Sequence, residues 1–360
     1  MTYAGIMSEK ITRTICALAG GGAMIYFGLV TQEQAITEFI DFNTLGLLTG
    51  MMILISVVKQ SGFFQVLALW ALKKSKGSPR ELLILLSIVT AVGAALIDSV
   101  TAALLIAPMT ISLCRMLRMS PVPILISEIL MCNIGGTALM IGNPPNVMIG
   151  SATHLDFNDF LINLAPVVVI TVIVILIAVL LIFKNDFSSV RMSAKELEKI
   201  DIMSGVEDKS IFSRSLMVLA FTVLGFVVHS HFGLESATVA MTGGMAALLF
   251  CGINPEDALK EVDLDTLMFF MGSSFWWGAW KMPASLRQLR KGIEMVDGDS
   301  HLITFLILLL SGVASAFVDN IPFTATMIPL IQDMQSLMNL PHADYMWWAL
   351  ATGACFGGNG

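Results

Sequence analysis

Apolar runs of membrane-spanning length alternate with short polar stretches along the whole chain. Run length, together with polar or Gly/Pro boundaries, predicts helical crossings at 14–30, 43–58, 121–148, 163–183, 214–231, 237–251, 266–280 and 343–360. A helix needs about 20 apolar residues to cross roughly 30 Å of hydrocarbon, and 164–183 is the cleanest such run. Two further stretches, 82–113 and 302–331, are each interrupted near the midpoint by a polar tip, Asp98-Ser99-Val100-Thr101 and Asp319-Asn320-Ile321-Pro322. Two half-length helices around a polar tip predict a re-entrant hairpin that enters and leaves on one side. A different interruption lies at 135–146, where Gly135, Gly136, Gly142, Asn143, Pro144, Pro145 and Asn146 break membrane-grade sequence. Broken backbone at bilayer depth is tolerated only where protein or a watery cavity supplies hydrogen-bond partners. Such a break therefore points to a transport site.

Composition fits this picture. Of 360 residues, 56% are hydrophobic and 13% charged, with a mean hydropathy of +0.81, against roughly a quarter charged in a soluble domain. The chain reads as an all-α polytopic protein, multi-pass in the cell membrane, which is the cytoplasmic membrane in a prokaryote. Its start lacks a basic region followed by a small-residue cleavage site, so no cleavable signal is expected. Lysine and arginine gather at Lys10 and Arg13, at Lys73, Lys74, Lys76 and Arg80, at Arg115 and Arg118, and across 184–214. They are absent from 31–42, 150–162, 229–236 and 332–345. That alternation predicts a first hairpin opening to the cytoplasm and a second opening outside. Lys281, Arg287, Arg290 and Lys291 break the rule. The net charge of −7 is spread over loops and names no partner.

The chain also repeats itself. A shift of 222 residues places 31–45 on 253–267, with Asp41 on Asp263 and Thr44 on Thr266, and Gly135-Gly136 on Gly357-Gly358. At a shift of 221, Asp98 falls on Asp319 and Pro108 on Pro329. With the hairpins on opposite sides, the two repeats are expected to be inverted, an arrangement that puts a transport site at the midplane between them. The predicted division is a first repeat at 1–183, with hairpin 82–113 and an unwound helix 121–148. A solvated cytoplasmic linker at 184–213 follows, and then a second repeat at 214–360 with hairpin 302–331. By this register the second repeat lacks about 45 residues after Gly360, and the helix at 214–231 has only Thr2 to Met7 as its counterpart. Truncation at the C-terminus, and at the N-terminus, is the expectation. At 273–285 the match fails, and three of the six tryptophans crowd into five residues. A local reading-frame slip would restore the match; an interfacial aromatic belt is the alternative.

The polar residues left inside apolar sequence define the candidate chemistry. A carboxylate at bilayer depth costs about 2.5–3.5 kcal/mol or more and normally faces a cavity, an ion or a partner; Asp98 and Asp319 bear that cost at equivalent positions. Carboxylate, hydroxyl and carbonyl oxygens suit Na⁺, whereas half-helix N-termini would favour an anion. A proton-coupled cycle needs a carboxyl that titrates with occupancy, for which Asp98, Asp319 or Glu128 would serve. The plainer alternatives are that both aspartates cap helix N-termini and that Glu128 makes a structural hydrogen bond. Cys16, Cys114, Cys132, Cys251 and Cys355 form no CxxC pair and read as core packing. His154, His229, His231, His301 and His342 fall near crossing ends and read as interfacial rather than metal-binding.

The run 133–150 (Asn-Ile-Gly-Gly-Thr-Ala-Leu-Met-Ile-Gly-Asn-Pro-Pro-Asn-Val-Met-Ile-Gly), together with 316–329 (Ala-Phe-Val-Asp-Asn-Ile-Pro-Phe-Thr-Ala-Thr-Met-Ile-Pro), resembles the ion transporter superfamily. The likeness is to its branch of arsenite permeases, P proteins and NhaD-type sodium/proton antiporters, with dicarboxylate and citrate carriers more distant. The resemblance implies hairpin tips and unwound helices lining an ion and substrate site, moving as an elevator in a homodimer. Carried over by motif, the site is Asp98, Ser99 and Thr101; Asp319, Asn320 and Thr324; Asn133, Thr137, Asn143 and Asn146; and Asn359. Close relatives often have Asp where this chain has Asn143, which removes a cation-binding or proton-carrying carboxylate. The expected function is secondary transport of a small inorganic ion, by Na⁺/H⁺ antiport or arsenite-type anion export. Dicarboxylate or citrate symport, or an inactive fragment of such a transporter, is the alternative. Paired hairpins suit alternating access better than a channel. No nucleophile–base set, metal cluster or nucleotide loop speaks for an enzyme. No cofactor beyond Na⁺ or H⁺ coupling is expected, and no nucleic-acid partner.

Overall fold

In the computed structural model, which describes residues 12–153, 155–187, 197, 198, 200–206, 208–280, 300–338 and 344–359, the regular structure is helical throughout. The first half comprises α1 (Arg13–Tyr26), α2 (Phe42–Gln60), α3 (Phe63–Lys74), α4 (Pro79–Leu96), α5 (Ser99–Met116), α6 (Val122–Gly136), α7 (Pro144–Ala152) and α8 (Phe157–Ile182). The second comprises α9 (Lys209–Val228), α10 (Ser236–Cys251), α11 (Pro255–Lys260), α12 (Leu264–Trp280), α13 (Ser300–Phe317), α14 (Asn320–Met338) and α15 (Asp344–Gly357). Six helices among the described residues are long and apolar enough to cross a membrane: α2, α4, α5, α8, α13, and α9 with the turn that follows it. α8 leaves Val169, Ile170, Val174, Ile177 and Leu181 exposed, the surface a helix presents to lipid.

Starts of helices follow local chemistry. Asp41, Asp156 and Asp208 each accept backbone N–H bonds from the first turn they precede, satisfying donors that have no partner inside the helix. Packing then links the halves. α2 lies against α10, and α12 against α1, so α1 and α10, equivalent in the repeat register, each pack on the other half. Both crossings run through glycine: a Cβ on Gly50 would fall 2.5 Å from the Met241 nitrogen, and one on Gly272 would fall 2.7 Å from the Leu18 nitrogen. Gly50 and Gly272 are 222 apart, so equivalent close approaches recur at the register of the sequence repeat. Within the halves α4 packs on α6, and α13 on α15.

Three features depart from the expectations. The hairpin arms are not half-length: α4, α5 and α13 have 18 residues and α14 has 19, about 27 Å at 1.5 Å per residue. Helical hydrogen bonding continues through Arg80 and Glu81 and through Arg115, where an apolar run stops. Second, α3 was not expected, because its apolar run is short; Phe64, Ala68, Ala71 and Leu72 are buried while Trp70, Lys73 and Lys74 stay exposed, the pattern of a helix lying on a surface. Third, the linker is docked where it is described. Leu197 is buried with Leu72, Leu82 and Val179, and the turn Ile202–Gly205 rests on α3. The stub Thr2 to Met7, the cluster at Lys281, Arg287, Arg290 and Lys291, residues 281–285 of the 273–285 anomaly, His154 and His342 lie outside the described residues, as do the side chains of Trp276, Trp277 and Trp280.

Candidate functional site

The break at 137–143 separates α6 from α7, and its carbonyls are met by side chains. The Asn146 amide donates to the carbonyl oxygens of Leu139 at 2.9 Å, Thr137 at 3.0 Å and Gly136 at 3.5 Å. Thr137 Oγ1 donates to the Asn133 carbonyl at 2.8 Å, and Asn143 Nδ2 reaches the same oxygen at 3.3 Å. Residues 137, 143 and 146 are fully or almost fully buried, so they supply internally what water cannot reach. A Cβ on Gly142 would lie 3.0 Å from the carbonyl oxygens of both Ala94 and Ala95. Only glycine lets the break press onto the end of α4.

The first tip is built on that break. The Ser99 N–H donates to the Gly142 carbonyl at 3.2 Å. Asp98 caps α5: its Oδ2 accepts the Thr101 N–H and the Thr101 hydroxyl, each at 2.9 Å. The second tip repeats the cap more loosely, with the Ile321 N–H 3.5 Å from Asp319 Oδ1. Asp319 Oδ2 is also ion-paired with Arg13 Nη1. The two halves touch through Asn133, near the end of α6, whose amide donates to the Gly358 carbonyl at 2.9 Å and to Asn359 Oδ1 at 3.0 Å, just past α15.

Both tips open into one cavity of about 720 Å³. Asp98, Ser99, Thr101 and Asn133 line it from the first half, and Asp319 and Asn320 from the second. Thr137, Asn143, Asn146 and Thr324 are buried away from its wall, and Asn359 meets it only through Asn133. Glu128 lies elsewhere, 3% exposed, accepting a hydrogen bond from Thr110.

Four charged lining residues were absent from the sequence-derived set: Arg13, Lys59, Glu261 and Asp263. Lys59 and Glu261 form an ion pair, and Asp263 caps α12 through the Thr266 N–H and hydroxyl at 3.1 and 2.6 Å. The alignment of Asp263 with Asp41 was a signal for that cap. Arg13 and Lys59 carried none beyond their charge at crossing ends. The charged lining residues are four acids and two bases, Asp98, Glu261, Asp263 and Asp319 against Arg13 and Lys59, a net of −2. Among the described residues no group of three or more His, Cys, Asp or Glu could hold a metal ion, and all five cysteines are buried.

The sequence profile of the citrate transporters matches residues 3–353. The chain belongs to the citrate transporter family. As a family member it is a multi-pass membrane transporter. A 46 kDa membrane protein of Mycobacterium leprae is 34% identical over 364 residues, covering 100% of this chain and 85% of that protein. An uncharacterized transporter of Mycobacterium tuberculosis is 36% identical over 367 residues, covering 99% of this chain and 84% of its own length. The human P protein is 30% identical over 447 residues, covering 99% of this chain and 53% of that longer protein. Among solved structures, the YdaH transporter of Alcanivorax borkumensis superposes with a TM-score of 0.57 at 13% identity, over 91% of this chain and 77% of that one. At that identity the likeness is one of fold.

Proposed function

We propose that this citrate transporter family member is a Na⁺/H⁺ antiporter working by alternating access, with Na⁺ bound at the Asp98 tip. The observation that carries the reading is the single cavity into which both tips open with a net charge of −2. Excess negative charge attracts a cation and opposes arsenite-type export of an anion. Asp98, Ser99, Thr101 and Asn133 offer the carboxylate, hydroxyl and amide oxygens a hard cation takes. Asp319 and Asn320 face them, and Asn143, Asn146, Thr137, Thr324 and Asn359 support the walls. Asp98 is the candidate proton carrier in exchange with Na⁺, with Glu128 in reserve. Two inverted halves, 1–183 and 214–360, moving as an elevator within a homodimer, complete the proposal. Contact between the first tip and the break supports a re-entrant hairpin, because it puts the tip at the depth of the interrupted helix.

Cation-coupled citrate symport is the second reading, favoured by the family and by a cavity far larger than a bare ion requires. Everted vesicles decide between them. Na⁺ addition should dissipate an imposed proton gradient, and Asp98→Asn should abolish the effect. Citrate uptake without Na⁺-dependent proton movement would establish the symport instead.

A further inference from the structure

We propose that Arg13 is the resident cation of the second tip, so that the cycle couples to one Na⁺, held at Asp98, rather than to one at each tip. This rests on the reading of Asp98 as a cation site. The two tips are 221 residues apart in register, both begin a helix with a capping aspartate, and both line the same cavity. Symmetry alone would give them equal occupants. Their partners differ. Asp98 is held by the neutral Thr101 amide and hydroxyl, and among the described residues it has no cationic partner. Asp319 is paired with the Arg13 guanidinium.

Arg13 is placed for that role. It is the first residue of α1, which is fixed by its packing on α12 and by the Thr14 hydroxyl donating to the Asp265 carbonyl at 3.2 Å. Its guanidinium carbon sits 5.7 Å from the centre of the Phe269 ring, close enough for a cation–π contact that holds the head group in the cavity. Guanidinium stays protonated at any working pH, so the neutralisation does not lapse with pH. A Na⁺ approaching Asp319 would meet a fixed positive charge and a carboxylate oxygen already engaged. The corresponding place in the other half, 222 residues on, is Glu235. It accepts a hydrogen bond from Asn43 at 3.1 Å and lines no part of this cavity. Among the described residues no equivalent cation reaches Asp98, and the asymmetry is written in the sequence as Arg against Glu. Of the remaining charges, Lys59 and Glu261 neutralise each other; each oxygen of Asp263 accepts one bond from Thr266, whereas both Thr101 bonds to Asp98 fall on a single oxygen, Oδ2.

The test is Na⁺ titration of the purified full chain in detergent by calorimetry, at pH 8, with thermal melting to show that each variant is folded. The wild type should bind one Na⁺, Arg13→Gln two, and the conservative Arg13→Lys one. Adding Asp98→Asn to Arg13→Gln should return the count to one, now at Asp319. A count of two in the wild type, or of one in a folded Arg13→Gln protein, overturns the role of Arg13 while leaving the Asp98 site standing. Absence of Na⁺ binding in the wild type, or binding that Asp98→Asn leaves intact, overturns the cation-site reading and this inference with it.

Discussion

Under the proposed function Asp98 does two things with one side chain, and they can be separated. Its oxygen caps α5 by accepting the Thr101 N–H, and an asparagine oxygen would accept the same bond. Asp98→Asn should therefore melt within a few degrees of the wild type while losing Na⁺-dependent proton movement; a large fall in melting temperature would mean that the carboxylate is structural first. Asn146 is the opposite case. Its amide serves three carbonyls of the broken helix and does not line the cavity. Asn146→Leu strands buried acceptors at about 1–3 kcal/mol apiece. Lower yield and a clear drop in melting temperature should precede any change in ion preference. A stable Asn146→Leu protein with altered selectivity would instead place that amide in the ion path.

At the level of helices, the two glycine crossings carry the assembly of the halves. Leucine at Gly50 or Gly272 would drive a side chain into the backbone of α10 or α1. Gly50→Leu and Gly272→Leu should each prevent recovery of folded protein, whereas leucine at Gly22, where a Cβ meets nothing within 4 Å, should be tolerated. Recovery of both variants at wild-type yield would show that the crossings slide apart cheaply. Such contacts are where sequence reading stops. Helices at the expected positions, the polar tips and the 135–146 break were legible because lipid imposes apolar run length and punishes every interruption. Arm lengths and α3 were not, since hydropathy marks where lipid is and helices extend past it. The polar lining was legible where it interrupts apolar sequence, as at Asp98, Asn133 and Asp319. It was hidden at Arg13, Lys59 and Glu261, which stand at crossing ends where charge is ordinary; only the folding of one half onto the other brings them to the cavity.

Across the whole molecule, the cavity is a shared property of both halves: a tip from each, and a join between α6 and the residues after α15 through Asn133 and Asn359. Its two ion pairs share that character. Arg13 belongs to the first half and Asp319 to the second; Lys59 belongs to the first and Glu261 to the second. All four side chains are between 30% and 40% exposed, so ions from solution reach them, and pairs so exposed are worth about 0.2–1 kcal/mol each. Any motion that parts the halves at this cavity has to open both. Dissolved salt shortens the reach of such attractions to about 8 Å at physiological strength and about 3 Å at 1 M. Turnover in proteoliposomes at fixed Na⁺ and pH should therefore quicken when sucrose is exchanged for choline chloride, and Lys59→Gln should flatten that response. A rate indifferent to ionic strength would locate the moving seam away from these pairs. On the proposed mechanism, the ionic strength of the bathing solution becomes a control on how fast the transporter runs.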